Sequence, residues 1–522
     1  DEAVALGAVH AGLSVAFSYP GTPASEIMEY LINLFKKQGG FKADWCVNEK
    51  VAYEEALGVS FAGKRAMVSM KHVGLNVAAD PFMNSALARI NGGLVVVVAD
   101  DPGMHSSQNE QDSRFYADFA RIFCFEPSDH QEAYDMTREA FDLSEKYNIP
   151  VMIRMVTRLS HSRSRLQIRP SRKQNEKKIG DRNQWTLLPV NARREFKRLV
   201  NTQPELMKTS NEAKYNTLTL AGDVGFITSG IGYNYLLENI QDLDIKPSVL
   251  KISSYPLPVN MIRKLIGHVD EILVVEEGYP FIEEKINGLM GVHGKTIKGK
   301  LSGDLPMTGE LNPELVRTAF LKDTRTHKRL AGFELPNRPP QLCQGCPHAD
   351  TFSALNTALK GFEEPVVFSD IGCYTLGALP PYKAVDTCVC MGASVSMAKG
   401  SSDAGLYPAV AVIGDSTFAH SGITPLLDAA RSNSNMTVII VDNAAVAMTG
   451  GQPTFATGER LSQIADGVGV AQEHIRIIIP LPKNLEANVK VIKEEIEYPK
   501  LSVIISSREC IEVMKKVKKG AE

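Results

Sequence analysis

The chain has 522 residues, 44% hydrophobic and 22% charged, with 57 Lys and Arg against 60 Asp and Glu. That length exceeds what one hydrophobic core serves and suggests roughly three domains, and the balanced charge speaks against nucleic acid as the main partner. No apolar run reaches the ~20 residues of a membrane helix, and the 8 cysteines in so long a chain are not a secreted disulfide scaffold. The sequence opens at Asp1 with no signal-peptide pattern, so a cytoplasmic protein is expected, with neither membrane nor nucleic acid as partner.

Apolar runs of strand length alternate with helical patterns. In chain order they are "GLVVVVAD" (93–100), "VGFITSG" (224–230), "EILVVEE" (271–277), "PVVFSDIG" (365–372), "AVAVIGDS" (409–416), "MTVIIVDN" (436–443) and "LSVIIS" (501–506). Runs apolar on both faces and separated by helices read as parallel strands of α/β domains, with helices on both faces. Two breaks interrupt them: the basic "SRSRLQIRPSRKQNEKKIGDRNQ" (162–184) and the Pro-rich "ELPNRPPQLC" (334–343). The expected division is an α/β domain at 1–161, an irregular basic connector at 162–215, a smaller α/β domain at 216–330 and a third at 331–522. The basic stretch lacks interleaved aromatics, so it reads as a solvated linker. "HGKT" (293–296) ends like a phosphate loop, but Leu289 stands where the spacing demands Gly.

Two consecutive strand-like runs end on small polar pairs, Gly414-Asp415 and Asp442-Asn443. Ligands of open parallel sheets bind outside the carboxyl ends of the strands. An Asp and an Asn there, with a Gly that lets a backbone approach, suit Mg²⁺ holding a diphosphate. A turn Asp and a capping Asn fit the residues equally well.

A Gly-Asp pair and a later Asn, followed by "AMTGGQ" (447–452), resembles the thiamine diphosphate motif of the 2-oxoacid:ferredoxin oxidoreductases. The likeness extends through "YPGTPASE" (19–26), "NEKVAYE" (48–54), "MKHVGLNVAADP" (70–81), "VVVVADDPGMHSSQNEQDSR" (95–114), "LCQGCPHAD" (342–350) and "DIGCYTLGALPPYKAVDTCVCMGAS" (370–394). Together these resemble the large subunits of the indolepyruvate ferredoxin oxidoreductase family; the 215–330 region matches less sharply. The resemblance implies a pyrimidine-binding domain at 1–161, a transketolase C-terminal-like domain at 216–330 and a diphosphate-binding domain at 331–522. It implies that Asp415, Asn443 and the carbonyl of Ala445 hold Mg²⁺. The diphosphate would lie against Gly414, Ser416, Thr417 and the Met448-Thr449 turn, and His348 would touch the cofactor. Glu49 matches the glutamate that bonds N1′ of the aminopyrimidine and so activates C2. Thr22 matches a threonine that receives the substrate carboxylate, with Arg114 or Lys71 as its cationic partner.

Cys343 and Cys346 form a C-x-x-C before the 365–372 run, Cys373 follows that run, and Cys510 follows the last run. On one parallel sheet these thiols share an edge with Asp415 and Asn443. Such a set serves a [4Fe–4S] cluster or a zinc ion, and spacing alone does not separate them. The family's proximal cluster has this pattern, and an adjacent thiamine site favours it because oxidative decarboxylation needs an electron acceptor. Cys46, Cys124, Cys388 and Cys390 read as small structural hydrophobes, the last two on a strand-like run. The resemblance thus implies CoA-dependent oxidative decarboxylation of an aryl 2-oxoacid, of indolepyruvate or phenylpyruvate type, with ferredoxin as acceptor. It also implies a small second (beta) subunit and a heterotetramer of two pairs. The family's large subunits usually carry a ferredoxin-like tail with two C-x-x-C-x-x-C-x-x-x-C-P runs; this sequence holds none, being either a short variant or a cut one, and electrons would then leave through a partner. A non-oxidative thiamine decarboxylase or synthase would share Glu49, Asp415 and Asn443, and a zinc-stabilised non-catalytic subunit would share the cysteines.

Overall fold

All seven runs lie on strands: Leu94–Asp100, Val224–Ser229, Glu271–Val275, Val366–Ser369, Ala409–Gly414, Thr437–Asp442 and Ser502–Ser507. The computed structural model describes residues 1–180, 184–241, 246–288, 290–321 and 340–521; the Pro-rich residues 334–339 and Leu289 lie outside these. The protein is α/β, and its chain gathers into two units, Asp1–Ala331 and Gly332–Glu522.

The first unit holds two sheets. The larger runs Ser254–Tyr255, Phe123–Phe125, Val151–Val156, Leu94–Asp100, Ala66–Lys71, Val15–Ser18, Lys42–Trp45 in spatial order. It is parallel except for Ser254–Tyr255, which pairs antiparallel with Phe123–Phe125. The smaller runs Thr296–Lys298, Glu271–Val275, Val224–Ser229, Ser248–Ile252, Thr217–Thr219. The edge of the first sheet is therefore closed by a strand from the region expected to be a separate domain.

A buried ionic seam joins the same two regions. Arg114, 1% exposed, pairs with Asp112 at 2.5 Å and Glu276 at 2.8 Å, and donates to the carbonyls of Glu277 and Tyr279 at 3.0 Å each. Arg154 pairs with Asp100 at 2.6 Å and Glu126 at 2.5 Å. Lys300 donates to the carbonyl of Gly278. Burial pulls Asp112 upward, but Arg114 and Arg154 outweigh it and hold its carboxyl low. Glu276 goes the other way: burial pushes it up to about 7 against the pull of Arg114 and the N–H groups of Ile282 and Glu283. A carboxyl raised in the folded state binds protons that the unfolded chain has released. Its contribution is thus fully present below pH ~4.5 and lost as pH rises through ~7. Thermal unfolding is expected to show the first unit weakening between pH 5 and 7.5. In Glu276→Gln that slope should flatten by about 3 kcal/mol, the worth of roughly 2.5 pKa units. An unchanged slope would remove Glu276 as its source.

The connector expected to be irregular contains the helix Pro189–Glu212, with Leu199 and Leu206 buried. The basic, polar surface of this stretch and Pro204 inside it read as a breaker, while Leu199 and Leu206 alone carry the apolar stripe. Residues 162–180 beyond the short helix Thr157–His161 hold to the ends of the helices Glu2–His10 and Glu49–Phe61 by main-chain bonds, Arg172 N–H to His10 and Lys178 N–H to Ala62.

The second unit is one parallel sheet in the order Val366–Ser369, Ala409–Gly414, Thr437–Asp442, Ser502–Ser507, Ile475–Ile478. Alternate residues feed two cores. Ala411, Ile413, Val438, Ile440, Val503 and Ile505 pack on one face; Val410, Val412, Ile439, Val441 and Ile504 pack on the other. This two-sided burial explains the uninterrupted apolar runs.

Candidate active site

In the second unit Ala409–Gly414 and Thr437–Asp442 are direct neighbours, with Gly414 opposite Val441. Asp415 and Asn443 therefore leave adjacent strands at the same edge. Asp415 is buried; its Oδ1 accepts the Ser416 N–H at 2.7 Å, and its Oδ2 meets no hydrogen-bond partner among the described residues. Burial and then the nearby Asp442 carboxylate push the Asp415 pKa well above the usual range. Asp442 itself is engaged, accepting from Gly458 N–H at 2.8 Å and Ser507 Oγ at 2.7 Å. Asn443 lies 3.2 Å from His348 Nε2 through its Nδ2 and accepts the Ala445 N–H at 3.2 Å. Ala444 between them has φ +59°, a left-handed conformation that is costly for alanine and recurs at ligand sites.

The Met448-Thr449 turn sits in a small antiparallel ribbon, Ala445–Val446 with Gln452–Pro453, closed by Thr449 Oγ1 to Gln452 Oε1 at 2.7 Å. Met448 is 55% exposed. Thr417 Oγ1 donates to the Ile371 carbonyl at 3.0 Å. The sequence reading missed Tyr374. Its ring lies so close to Gly414 that a Cβ there would sit 2.6 Å from it, and its hydroxyl donates to Asp370. Gly414 has φ −76°, so close approach explains the glycine, not backbone freedom. His348 is buried against the same ring, centroids 6.2 Å apart, and burial pulls its pKa down to about 4.

Cys373 follows Val366–Ser369 and Cys510 follows Ser502–Ser507, at the edge that carries Asp415 and Asn443. The Cys510 N–H donates to the Asn443 carbonyl at 2.9 Å. Cys346 caps the helix Pro347–Ala358. Arg508, also missed in the sequence, ties the C-x-x-C loop to this edge, reaching the Gly345 carbonyl and Asp350 at 2.7 Å each. Burial, then the charges of Cys346, Cys510 and Cys343, push the Cys373 thiol up to about 12. The four thiols are thus within electrostatic reach of one another. Even so, among the described residues no group of three or more His, Cys, Asp or Glu stands close enough to hold a metal ion. Cys46 and Cys124 are buried, but Cys388 and Cys390 are exposed and lie on no strand, against expectation. Here the side chains of Asp386 and Thr387, with one main-chain bond from Asp386 N–H to the Val367 carbonyl at 2.9 Å, bond the strand Val366–Ser369.

In the first unit three expected residues share the carboxyl edge of the larger sheet. Glu49, 5% exposed, opens the helix Glu49–Phe61, whose cap Asn48 accepts the Val51 N–H at 2.8 Å. Thr22 lies in the turn after Val15–Ser18, held by Gly21 N–H to Ser25 Oγ at 2.8 Å. Lys71 ends the neighbouring strand and packs against Gly21; its Nζ donates to the Ser106 carbonyl at 2.7 Å. Burial pulls its ammonium down to about 8, against the charge of Asp101. Arg114, the other candidate cation, has its guanidinium committed to the seam carboxylates. Gly74 packs on Glu49, and a Cβ there would lie 2.5 Å from Glu49 Oε1. Gly74→Ala is expected to displace the Glu49 carboxyl and cut 2-oxoacid turnover at least ~10-fold, about 1.4 kcal/mol of barrier. Turnover within twofold of wild type would show that Glu49 has room to move.

Residues 6–217 match the family model described as pyruvate flavodoxin/ferredoxin oxidoreductase, thiamine diP-binding. Residues 370–504 match that of the thiamine pyrophosphate enzyme, C-terminal TPP binding domain. The chain is 38% identical to the indolepyruvate oxidoreductase subunit IorA of Archaeoglobus fulgidus, over 98% of this chain and 85% of that one. It is 36% identical to the IorA subunits of Methanothermobacter thermautotrophicus and Pyrococcus horikoshii, over 98% of this chain and 86% and 85% of theirs. A 2-oxoglutarate:ferredoxin oxidoreductase from Magnetococcus marinus aligns at TM-score 0.49 and 18% identity, over 62% of this chain and 64% of that one.

Proposed function

Since the chain belongs to the indolepyruvate oxidoreductase IorA family of thiamine diphosphate-dependent 2-oxoacid:ferredoxin oxidoreductases, we propose that it oxidatively decarboxylates an aryl 2-oxoacid of indolepyruvate or phenylpyruvate type with CoA, reducing ferredoxin. The observation that carries this reading is the shared edge of the second unit: an unpartnered buried oxygen of Asp415 beside Asn443, with Cys373 and Cys510 on neighbouring strand ends.

The residues of the Asp415 edge fit the cation and diphosphate that the family implies; the four thiols would have to draw closer together to hold a cluster. A divalent cation would give Asp415 Oδ2 the partner it lacks and offset two adjacent buried carboxylates, Asp415 and Asp442. Asp415, Asn443 and the Ala445 carbonyl would hold it, and Gly414, Ser416, Thr417, Met448 and Thr449 would flank the diphosphate. His348, kept neutral by burial, would present an uncharged imidazole. Thiamine diphosphate, when bound, supplies an acidic C2 and a positive ring that takes up the electron pair left by CO₂. Glu49 would hold the proton shared with the aminopyrimidine N1′, its burial keeping that proton from water. Thr22 would receive the substrate carboxylate with Lys71 as its cation, in preference to Arg114, whose donors face seam carboxylates. Cys343, Cys346, Cys373 and Cys510 would bind a [4Fe–4S] cluster, which serves as a one-electron relay. A small second subunit, a heterotetramer of two such pairs and a cytoplasmic location complete the proposal. Among the described residues no helix is long and apolar enough to cross a membrane.

The test is a visible spectrum of anaerobically purified protein with its second subunit, supported by iron and acid-labile sulfide analysis. Broad absorption that bleaches on adding indolepyruvate plus CoA is expected. A colourless protein that decarboxylates without CoA would instead be a non-oxidative enzyme, and zinc without sulfide would make the cysteines structural.

A further inference from the structure

A cavity of about 560 Å³ opens on the first unit, away from the edge that carries Glu49, Thr22 and Lys71. Its lining residues Arg89 and Asn148 precede the strands Leu94–Asp100 and Val151–Val156, which places it at the amino edge of the larger sheet. The wall is cationic: Arg89, Lys146, Arg194, Lys197 and Arg198 line it, and Glu205 is the one acidic lining residue. The last three cations and Glu205 share one face of the helix Pro189–Glu212 through i, i+3, i+4 and i+11 spacing. A solvated basic helix face would leave these side chains loose; here Arg194 and Arg198 are held. Glu195, 2% exposed, sits beneath and pairs with Arg198 at 2.8 Å, Arg194 at 3.0 Å and Arg89 at 3.4 Å.

One carboxylate facing three guanidiniums leaves positive charge in excess. Five lining cations against Glu195 and Glu205 make a local surplus in a chain whose formal net charge is −3. Two further observations point to an absent anion. Arg198 Nη2 is buried and has no hydrogen-bond partner among the described residues, while Arg89 Nε faces Glu195 at 3.4 Å. The pKa of Arg198 is lowered, first by burial and further by Arg89, in spite of Glu195. A guanidinium anchored on a buried carboxylate through Nε, with Nη2 left to donate, matches phosphate oxygens, which accept N–H donors. Asn148, Asn201 and Thr202 add neutral donors to the wall, and the site is widely open to solvent.

We infer that this cavity binds a phosphate-bearing small molecule of nucleotide size, at a site distinct from the Glu49 edge. A free nucleotide and the nucleotide end of CoA share this chemistry. The inference does not depend on the proposed reaction, since its readout is binding and not turnover. Calorimetry is done on the assembled enzyme with excess thiamine diphosphate and Mg²⁺, so that a diphosphate cradle elsewhere is filled. The probes are pyrophosphate, ADP and CoA. ADP or CoA should bind the wild type, more weakly as salt rises. The exposed pair Lys146→Gln/Lys197→Gln should weaken that binding at least ~10-fold with an unchanged melting temperature. CoA binding more tightly than ADP supports the coenzyme as the source; the reverse order supports a free nucleotide. The inference is overturned if none of the three probes binds, or if wild type and double variant bind alike. Binding of polyglutamate but of none of the three would overturn it in favour of an acidic protein partner.

Discussion

Asp415→Asn is expected to lose thiamine diphosphate binding while its apoprotein melts no lower than the wild type. The substitution keeps the size of the side chain and its contact with the Ser416 N–H, made at 2.7 Å in the wild type. It removes a buried carboxyl that burial and the nearby Asp442 carboxylate push well above its usual pKa and whose Oδ2 has no hydrogen-bond partner among the described residues. Replacing a carboxyl so disfavoured in its charged form is expected to leave the fold's stability unharmed. The same change would deprive the proposed Mg²⁺ of its one anionic protein ligand at this strand end, and Mg²⁺ depends on few protein oxygens. A fall of at least ~100-fold in cofactor affinity follows, about 2.7 kcal/mol. The readout is the thermal shift on adding thiamine diphosphate with Mg²⁺, since a ligand at 100 times its Kd stabilises by about 2.7 kcal/mol. Wild-type protein should show that shift and Asp415→Asn should not. A full shift in the variant would leave the Asp415 carboxylate with some other purpose.

Asp415, Asn443, Cys373 and Cys510 were legible in the sequence because position along a strand is enough to place them. Each follows a run apolar on both faces, and parallel strands bring their carboxyl ends to one edge whatever the side-chain packing. Tyr374 was not legible, because its role against Gly414 depends on where a turn after one strand meets the end of the next. Arg508 is similar: its reach to Gly345 and Asp350 joins residues about 160 apart, and no local pattern announces it. The sequence left Arg114 and Lys71 both open as the cation, because the ion pair from Arg114 to Glu276 of the second sheet's region has no local pattern. The helix Pro189–Glu212 was hidden by its own surface, since cations that face a cavity look in sequence like a solvated linker.

Cys510→Ala carries the second large effect and separates electron transfer from decarboxylation. The main chain at this position should survive the change, because the bond from its N–H to the Asn443 carbonyl needs no thiol. The loss is confined to sulfur, on a residue only 8% exposed. In the folded chain the Cys373 thiol feels the charges of Cys346, Cys510 and Cys343 together. Removing one of the four leaves a three-thiol set, which holds a [4Fe–4S] cluster poorly. Iron and acid-labile sulfide should fall, and CoA-dependent ferredoxin reduction should drop at least ~100-fold, about 2.7 kcal/mol of barrier. Glu49, Asp415 and Asn443 are untouched, so release of the first CO₂ per active site should persist in a rapid-quench assay. That combination, one turnover of CO₂ without reduced ferredoxin, is not expected of a merely misfolded variant, which would lose both. Should Cys510→Ala retain full iron and full ferredoxin-linked turnover, Cys510 is no ligand, and the fourth position must be filled from outside this set.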